Sequence, residues 1–181
     1  MRTDKTNCLC LISRQTFGRM RGQAGRQSST HFCCLSAPVS LYSSMIKVAV
    51  GIVQMGSQVL VCQRKRTSRY PFKWEFPGGK FENGESVVEC LRRELREELS
   101  IDATVGEELY RQEWLYPDSG AFEVYYHFVE SFSGTIRNNV FEQIKWVNVT
   151  ELAGVDMLDG NRDAVTMLMK ANSKFKEHNA K

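Results

Sequence analysis

Gly78-Gly79-Lys80-Phe81-Glu82-Asn83-Gly84-Glu85-Ser86-Val87-Val88-Glu89-Cys90-Leu91-Arg92-Arg93-Glu94-Leu95-Arg96-Glu97-Glu98-Leu99 is the stretch from which the rest of the chain is read. A glycine-rich turn leads into a helix start, because Ser86 followed three residues later by Glu89 is a capping box. Ser86–Leu99 therefore reads as helix. At 100° per residue, Glu94, Glu97 and Glu98 share one arc about 100° wide. Val87, Val88, Leu91 and Leu95 form the apolar stripe beside it, and Glu98 falls within that stripe.

Two accounts of the arc are open. One is a solvated charged face laced with Arg92, Arg93 and Arg96. The other is a cation site. Glu94 and Glu98 stand at i, i+4, a like-charge spacing that costs roughly 0.2–0.5 kcal/mol, and partial burial raises the cost. Clustered hard oxygen ligands suit Mg²⁺, with Mn²⁺ as a substitute. Mg²⁺ usually takes further oxygens from a substrate phosphate, so the arc points to a phosphate-bearing substrate. Gly78 and Gly79 allow close backbone approach, which lets a carbonyl join the ligands.

Outward from this helix the chain reads as mixed α/β. Ile46–Val53 is β-branched and apolar, as a buried strand should be. Met55-Gly56-Ser57 turns it into a second strand, Gln58–Gln63. Thr67–Lys73 is a polar loop. Trp74–Phe76 is a short aromatic segment, and Pro77-Gly78-Gly79 breaks the chain. Ala103–Tyr116 and Phe122–Phe132 read as long strands joined through Pro117-Asp118-Ser119-Gly120, and Gln143–Val149 as another. Asn161–Lys174 has helical spacing in Ala164, Val165, Leu168 and Met169. Long strands with two helices suggest a mixed sheet covered on its faces.

At 181 residues the chain favours one domain. No apolar run reaches the ~18 residues that span a bilayer, which argues against a membrane protein. Net charge is +3, yet residues 1–44 hold Arg2, Lys5, Arg14, Arg19, Arg21 and Arg26 against Asp4 alone. The remainder is therefore acidic on balance, which argues against a surface for duplex nucleic acid. Residues 1–44 read as a flexible basic extension. It is either an over-long translation start ahead of Met45 or an organellar transit segment. Cys8, Cys10, Cys33 and Cys34 match no standard zinc spacing, and free thiols in a reducing, cytoplasmic setting are expected. Residues 45–181 form the expected domain.

The register Gly79-x5-Glu85-x7-Arg93-Glu94-Leu95-x-Glu97-Glu98-x-x-Ile101 resembles the Nudix box. Val48–Ile52, Trp74–Lys80 and Met157–Asn161 extend the resemblance over about Met45–Ala171, toward MutT-type nucleoside triphosphate pyrophosphohydrolases. The resemblance implies a Nudix-type α/β/α sandwich around a mixed β-sheet. It also implies Mg²⁺-dependent hydrolysis of a nucleoside triphosphate such as 8-oxo-dGTP to the monophosphate and pyrophosphate; the alternatives are another nucleoside diphosphate derivative (CTP or dCTP, ADP-ribose, a dinucleoside polyphosphate) or a nucleotide-sensing module that does not hydrolyse. Glu94, Glu97 and Glu98 would bind metal beside the Gly78 carbonyl, with one glutamate as general base. Glu85 and Arg93 would orient them. Arg64 would contact phosphate, or is a strand-end surface charge. Arg69 is a further loop candidate. Glu75, Phe76, Pro77, Gly78 and Lys80 would border the substrate. Asn161 would read the base edge, or caps the following helix. Glu142 is either a further metal ligand or an ordinary loop acid; relatives often carry that glutamate six residues before the tryptophan, where Val140 stands here. One position departs from the pattern: Ser100 occupies a site usually held by glycine, at a cost of up to about 1 kcal/mol in a left-handed helix terminus.

Overall fold

A computed structural model describes residues 45–179. The expectations for residues 1–44 lie outside the described residues. The strands are β1 (Ile46–Met55), β2 (Gln58–Gln63), β3 (Trp74–Glu75), β4 (Gly78–Lys80), β5 (Asp102–Tyr116), β6 (Gly120–Ser133) and β7 (Gln143–Asn148). The helices are α1 (Val87–Leu99), between β4 and β5, and α2 (Arg162–Asn179). No helix among the described residues is long and apolar enough to cross a membrane.

The β1–β2 hairpin is real but brief. Only Gln54↔Val59 and Met55↔Gln58 pair before the strands diverge. β1 then runs parallel to β6, from Ile46↔Phe122 to Val53↔Val129, and β2 takes β7 and β3 as antiparallel neighbours. The sheet is therefore mixed, ordered β3-β2-β1-β6-β5, with β4 on β1 and β7 on β2. Strand alternation sends successive side chains to opposite faces. Val50, Ile52, Val59 and Val61 pack toward Ala164, Val165 and Leu168 of α2. Ala49, Val53, Leu60 and Cys62 pack toward Leu91, Leu95 and Leu99 of α1.

 That places α1 and α2 on opposite faces of the sheet, the expected α/β/α arrangement. Cys62 and Cys90 are free and buried. Burial chiefly pushes the Cys90 thiol up to about 12, which makes it a packing group rather than a nucleophile.

The structure corrects the sequence reading at three places and forms the left-handed helix end expected at Ser100. Gly78–Lys80 does not break the chain but forms β4, pairing Val48↔Lys80, Ala49↔Gly79 and Val50↔Gly78. Residues Val149–Gly154 form a 3-10 turn rather than the end of a strand. Val88 leaves the apolar stripe and is 44% exposed. The buried set of α1 is Cys90, Leu91, Leu95 and Leu99, which brackets Glu94 and Glu98 on the helical wheel. Finally, Ser100 takes the left-handed conformation itself (φ 59°, ψ 32°), and its amide donates to the carbonyls of Arg96 and Leu95. Asn139 Nδ2 donates to Ser100 Oγ (2.9 Å) and to the Glu97 carbonyl (2.8 Å). The helix thus stops at Leu99, where a glycine would have stopped it, with its last carbonyls satisfied.

Candidate active site

The capping box is formed: the Ser86 side chain accepts from the Glu89 amide, and Glu89 accepts from the Ser86 amide (2.8 Å). α1 therefore starts at a defined residue, and its carboxylates face β4. Glu98 Oε2 accepts from the Gly78 amide at 2.9 Å. Glu94 lies flat against Gly79, where an added Cβ would overlap its carboxylate. The Glu94 contact requires a strand without a side chain at Gly79, while a Cβ at Gly78 would meet the Ala49 carbonyl of β1.

Arg93 organises the other acids. Its Nε donates to Glu85 Oε1 (2.7 Å), Nη2 to Glu85 Oε2 (2.9 Å), Nη1 to Glu94 Oε1 (2.8 Å), and Nη2 also to the Lys80 carbonyl (2.9 Å). Glu97 is 3.7 Å from Arg93 and largely exposed. The cation that offsets Glu94 is thus, in part, a side chain. The bidentate contact from Arg93 holds the Glu85 carboxyl down to about 2. Its stabilising contribution is present above the ordinary value of 4.5 and is lost as pH falls toward 2. Arg93→Ala should lower the urea unfolding midpoint at pH 7, because it leaves Glu85 and Glu94 without their shared cation. Arg93→Lys should recover only part of that, since an ammonium cannot grip both Glu85 oxygens.

Glu98 has no cationic partner among the described residues. Burial first, then the charges of Glu94, Glu75 and Glu97, push its carboxyl up to about 8, against the Gly78 hydrogen bond, which lowers it. No three His, Cys, Asp or Glu side chains converge on one point among the described residues, because Glu94 is turned onto Arg93 and Glu98 onto the Gly78 amide. The donor set nevertheless fits a hard divalent cation: it is all carboxyl oxygen, on one helix face, and Glu98 would give up its proton to a bound cation.

A cleft of about 470 Å³ opens beside β4. Arg64, Arg69, Glu75, Phe76, Gly78, Lys80 and Asn161 all line it, as the sequence reading expects of substrate-binding residues. Arg64 is no bare surface charge: Nη1 pairs with Glu75 Oε2 at 2.7 Å and Nε donates to the Arg69 carbonyl at 2.8 Å. Burial raises the Glu75 carboxyl and Arg64 opposes that rise. Asn161 does not cap α2; its Oδ1 is buried without a partner. Two candidates, Pro77 and Glu142, lie outside the cleft lining. Pro77 is buried outside the cleft lining, and its carbonyl accepts from the Gly51 amide (2.8 Å). Glu142 is exposed, with no side-chain hydrogen bond or ion pair among the described residues; its amide closes the β2–β7 ladder on the Gln63 carbonyl (2.9 Å).

The sequence reading missed the aromatic wall of Tyr70, Trp114, Tyr116, Phe122 and Tyr126. A signal was present, since Trp114/Tyr116 and Phe122/Val124/Tyr126 alternate on two strands and Trp114 pairs with Phe122. The loop after β2 reaches this wall: Tyr70 donates to Asp118, and Arg69 Nε stands 3.1 Å from the same carboxylate.

The model of the NUDIX domain matches residues 45–168. The chain belongs to this family. A CTP pyrophosphohydrolase of Escherichia coli K12 is 38% identical over 109 residues, covering 59% of this chain and 78% of that protein. A putative 8-oxo-dGTP diphosphatase 2 of Mycobacterium tuberculosis H37Rv is 32% identical over 126 residues, covering 68% and 87%. Among solved structures, the E. coli ORF135 protein superposes with a TM-score of 0.66 at 29% identity, covering 72% of this chain and 92% of that one. This Nudix hydrolase is accordingly an enzyme of nucleotide substrates.

Proposed function

We propose that this Nudix hydrolase cleaves a nucleoside triphosphate, with oxidised purines such as 8-oxo-dGTP as its preferred class, to the monophosphate and pyrophosphate. The reaction depends on Mg²⁺, which Mn²⁺ can replace, and serves to cleanse the nucleotide pool. The observation that carries the reading is the Gly78–Glu98 contact: one glycine strand both lines the cleft and touches the carboxylate set. A cleft of about 470 Å³ is within the size range of small-molecule sites.

In this reading Glu94, Glu97 and Glu98, with the Gly78 carbonyl, hold the metal. When bound, Mg²⁺ neutralises the polyphosphate and favours attack by water. One of the three glutamates accepts the water proton. Arg93 and Glu85 keep the set in place. Arg64, Arg69 and Lys80 meet phosphate oxygens, while Glu75, Phe76 and Asn161 border the base. The 38% identity to a CTP pyrophosphohydrolase favours a second reading, with the same chemistry on a cytidine triphosphate.

The test is pyrophosphate release from 8-oxo-dGTP, dGTP, CTP, dCTP and ADP-ribose, with and without Mg²⁺. A metal-dependent kcat/KM at least tenfold higher for 8-oxo-dGTP than for dGTP is expected, since one unmatched buried polar group discriminates by that much or more. A preference for CTP selects the second reading. Turnover of ADP-ribose alone overturns both.

A further inference from the structure

We propose that Gln112 is a specificity-determining residue, which fixes the base-reading amide of Asn161 through the carbonyl of Gly160. This rests on Asn161 bordering the base. Gln112 and Asn161 are the two buried polar residues of the described core, 9% and 6% exposed. Gln112 stands on β5 and Asn161 on the 3-10 turn before α2, and Gly160 joins them. The Gly160 carbonyl accepts from Gln112 Nε2 and from the Tyr126 hydroxyl (2.8 Å), while the Gly160 amide donates to the Tyr116 hydroxyl (3.3 Å).

The direction of this network is determined. A carbonyl only accepts, so Tyr126 spends its hydrogen on Gly160. Tyr126 oxygen is then free to accept from Gln112 Nε2 at 3.2 Å. Both Gln112 amide hydrogens are used, and a flipped amide would set oxygen against the Gly160 carbonyl. Gln112 Oε1 is left as an acceptor without a partner, as is Asn161 Oδ1. Buried orphan acceptors are costly in a free protein and rewarded when a donor arrives.

The Asn161 side chain makes no hydrogen bond of its own among the described residues; the residue is held by its amide on the Leu158 carbonyl (2.8 Å) and by the clamp on Gly160. Its aim into the cleft is therefore inherited from β5 and β6. Of the two orphan acceptors only Asn161 Oδ1 belongs to a residue lining the cleft, and an acceptor there favours a base offering N–H donors. A guanine-type ring brings adjacent N1–H and N2–H₂ groups. Cytosine brings one amino group beside a ring acceptor.

The experiment is equilibrium binding of 8-oxo-dGMP, dGMP and CMP to metal-free protein in EDTA, followed by tryptophan fluorescence. Wild type is compared with Asn161→Ala, Gln112→Met and Tyr126→Phe, each checked for folding by circular dichroism. Wild type should bind a guanine monophosphate more tightly than CMP. Gln112→Met should reduce that Kd ratio about tenfold with CMP affinity changed less than about twofold, and Tyr126→Phe should reduce it about threefold. Should Gln112→Met fail to fold, Tyr126→Phe decides alone. An unchanged ratio in Asn161→Ala, or no preference in wild type, overturns the base-reading role and this inference with it. A ratio lost in Asn161→Ala but kept in Gln112→Met and Tyr126→Phe overturns this inference only. Equal weakening of all three ligands by Gln112→Met also overturns it, because that is the mark of a merely structural residue.

Discussion

Glu98→Gln is expected to lower kcat/KM by at least ~10²-fold at saturating Mg²⁺, the scale of losing a metal-binding or proton-accepting carboxylate. The same variant should be more stable than wild type when metal-free at pH 8. Glutamine keeps an oxygen to accept from the Gly78 amide. It removes a carboxylate whose proton affinity is raised to about 8 by burial and by neighbouring acids. The sign follows from proton counting. Between the ordinary value of 4.5 and about 8, the folded state holds a proton that the unfolded chain has released. Wild-type stability therefore falls as pH rises through that window. Below it the variant and wild type should melt together. Above it the variant should gain on the order of 1–3 kcal/mol, a shift of several degrees in Tm. Saturating Mg²⁺ should narrow the difference by stabilising only the wild type. Equal melting temperatures at pH 8 in EDTA would show that Glu98 carries no uncompensated charge.

Gly78→Ala should be among the most destabilising single changes in the domain, while Gly84→Ala should be mild. Both glycines have positive φ, +141° and +82°. Gly84 faces open space, so alanine there pays only the backbone preference, about 1 kcal/mol. At Gly78 a Cβ would overlap the Ala49 carbonyl of the neighbouring strand, in a backbone region that is nearly glycine-only. A loss of roughly 3–5 kcal/mol is expected, together with displacement of the amide that holds Glu98. Urea midpoints with unchanged m-values would measure both. Similar midpoints for the two variants would mean that β4 can move away from β1 at little cost.

Local chemistry made much of this protein legible from residues alone. The Ser86/Glu89 box, the helix to Leu99, the long β5 and β6, and the shared arc of Glu94 and Glu98 all depend on periodicity and near neighbours. Such features are written in spacings of a few residues. Long-range packing decided the rest. Whether Gly78-Gly79 breaks the chain or makes a strand depends on β1 and α1 lying on either side, which no local signal encodes. Pro77 lies outside the cleft lining, with its carbonyl taken by Gly51, a residue 26 positions away in sequence. The Gln112–Gly160 clamp joins residues 48 apart and exists only once β5 and the turn before α2 have docked. Spacing thus determined the acidic arc on which the proposed metal chemistry rests, because periodicity alone puts those acids in one register. Tertiary structure decided which surfaces line the cleft, because a cleft wall is assembled from segments that meet only in the folded chain.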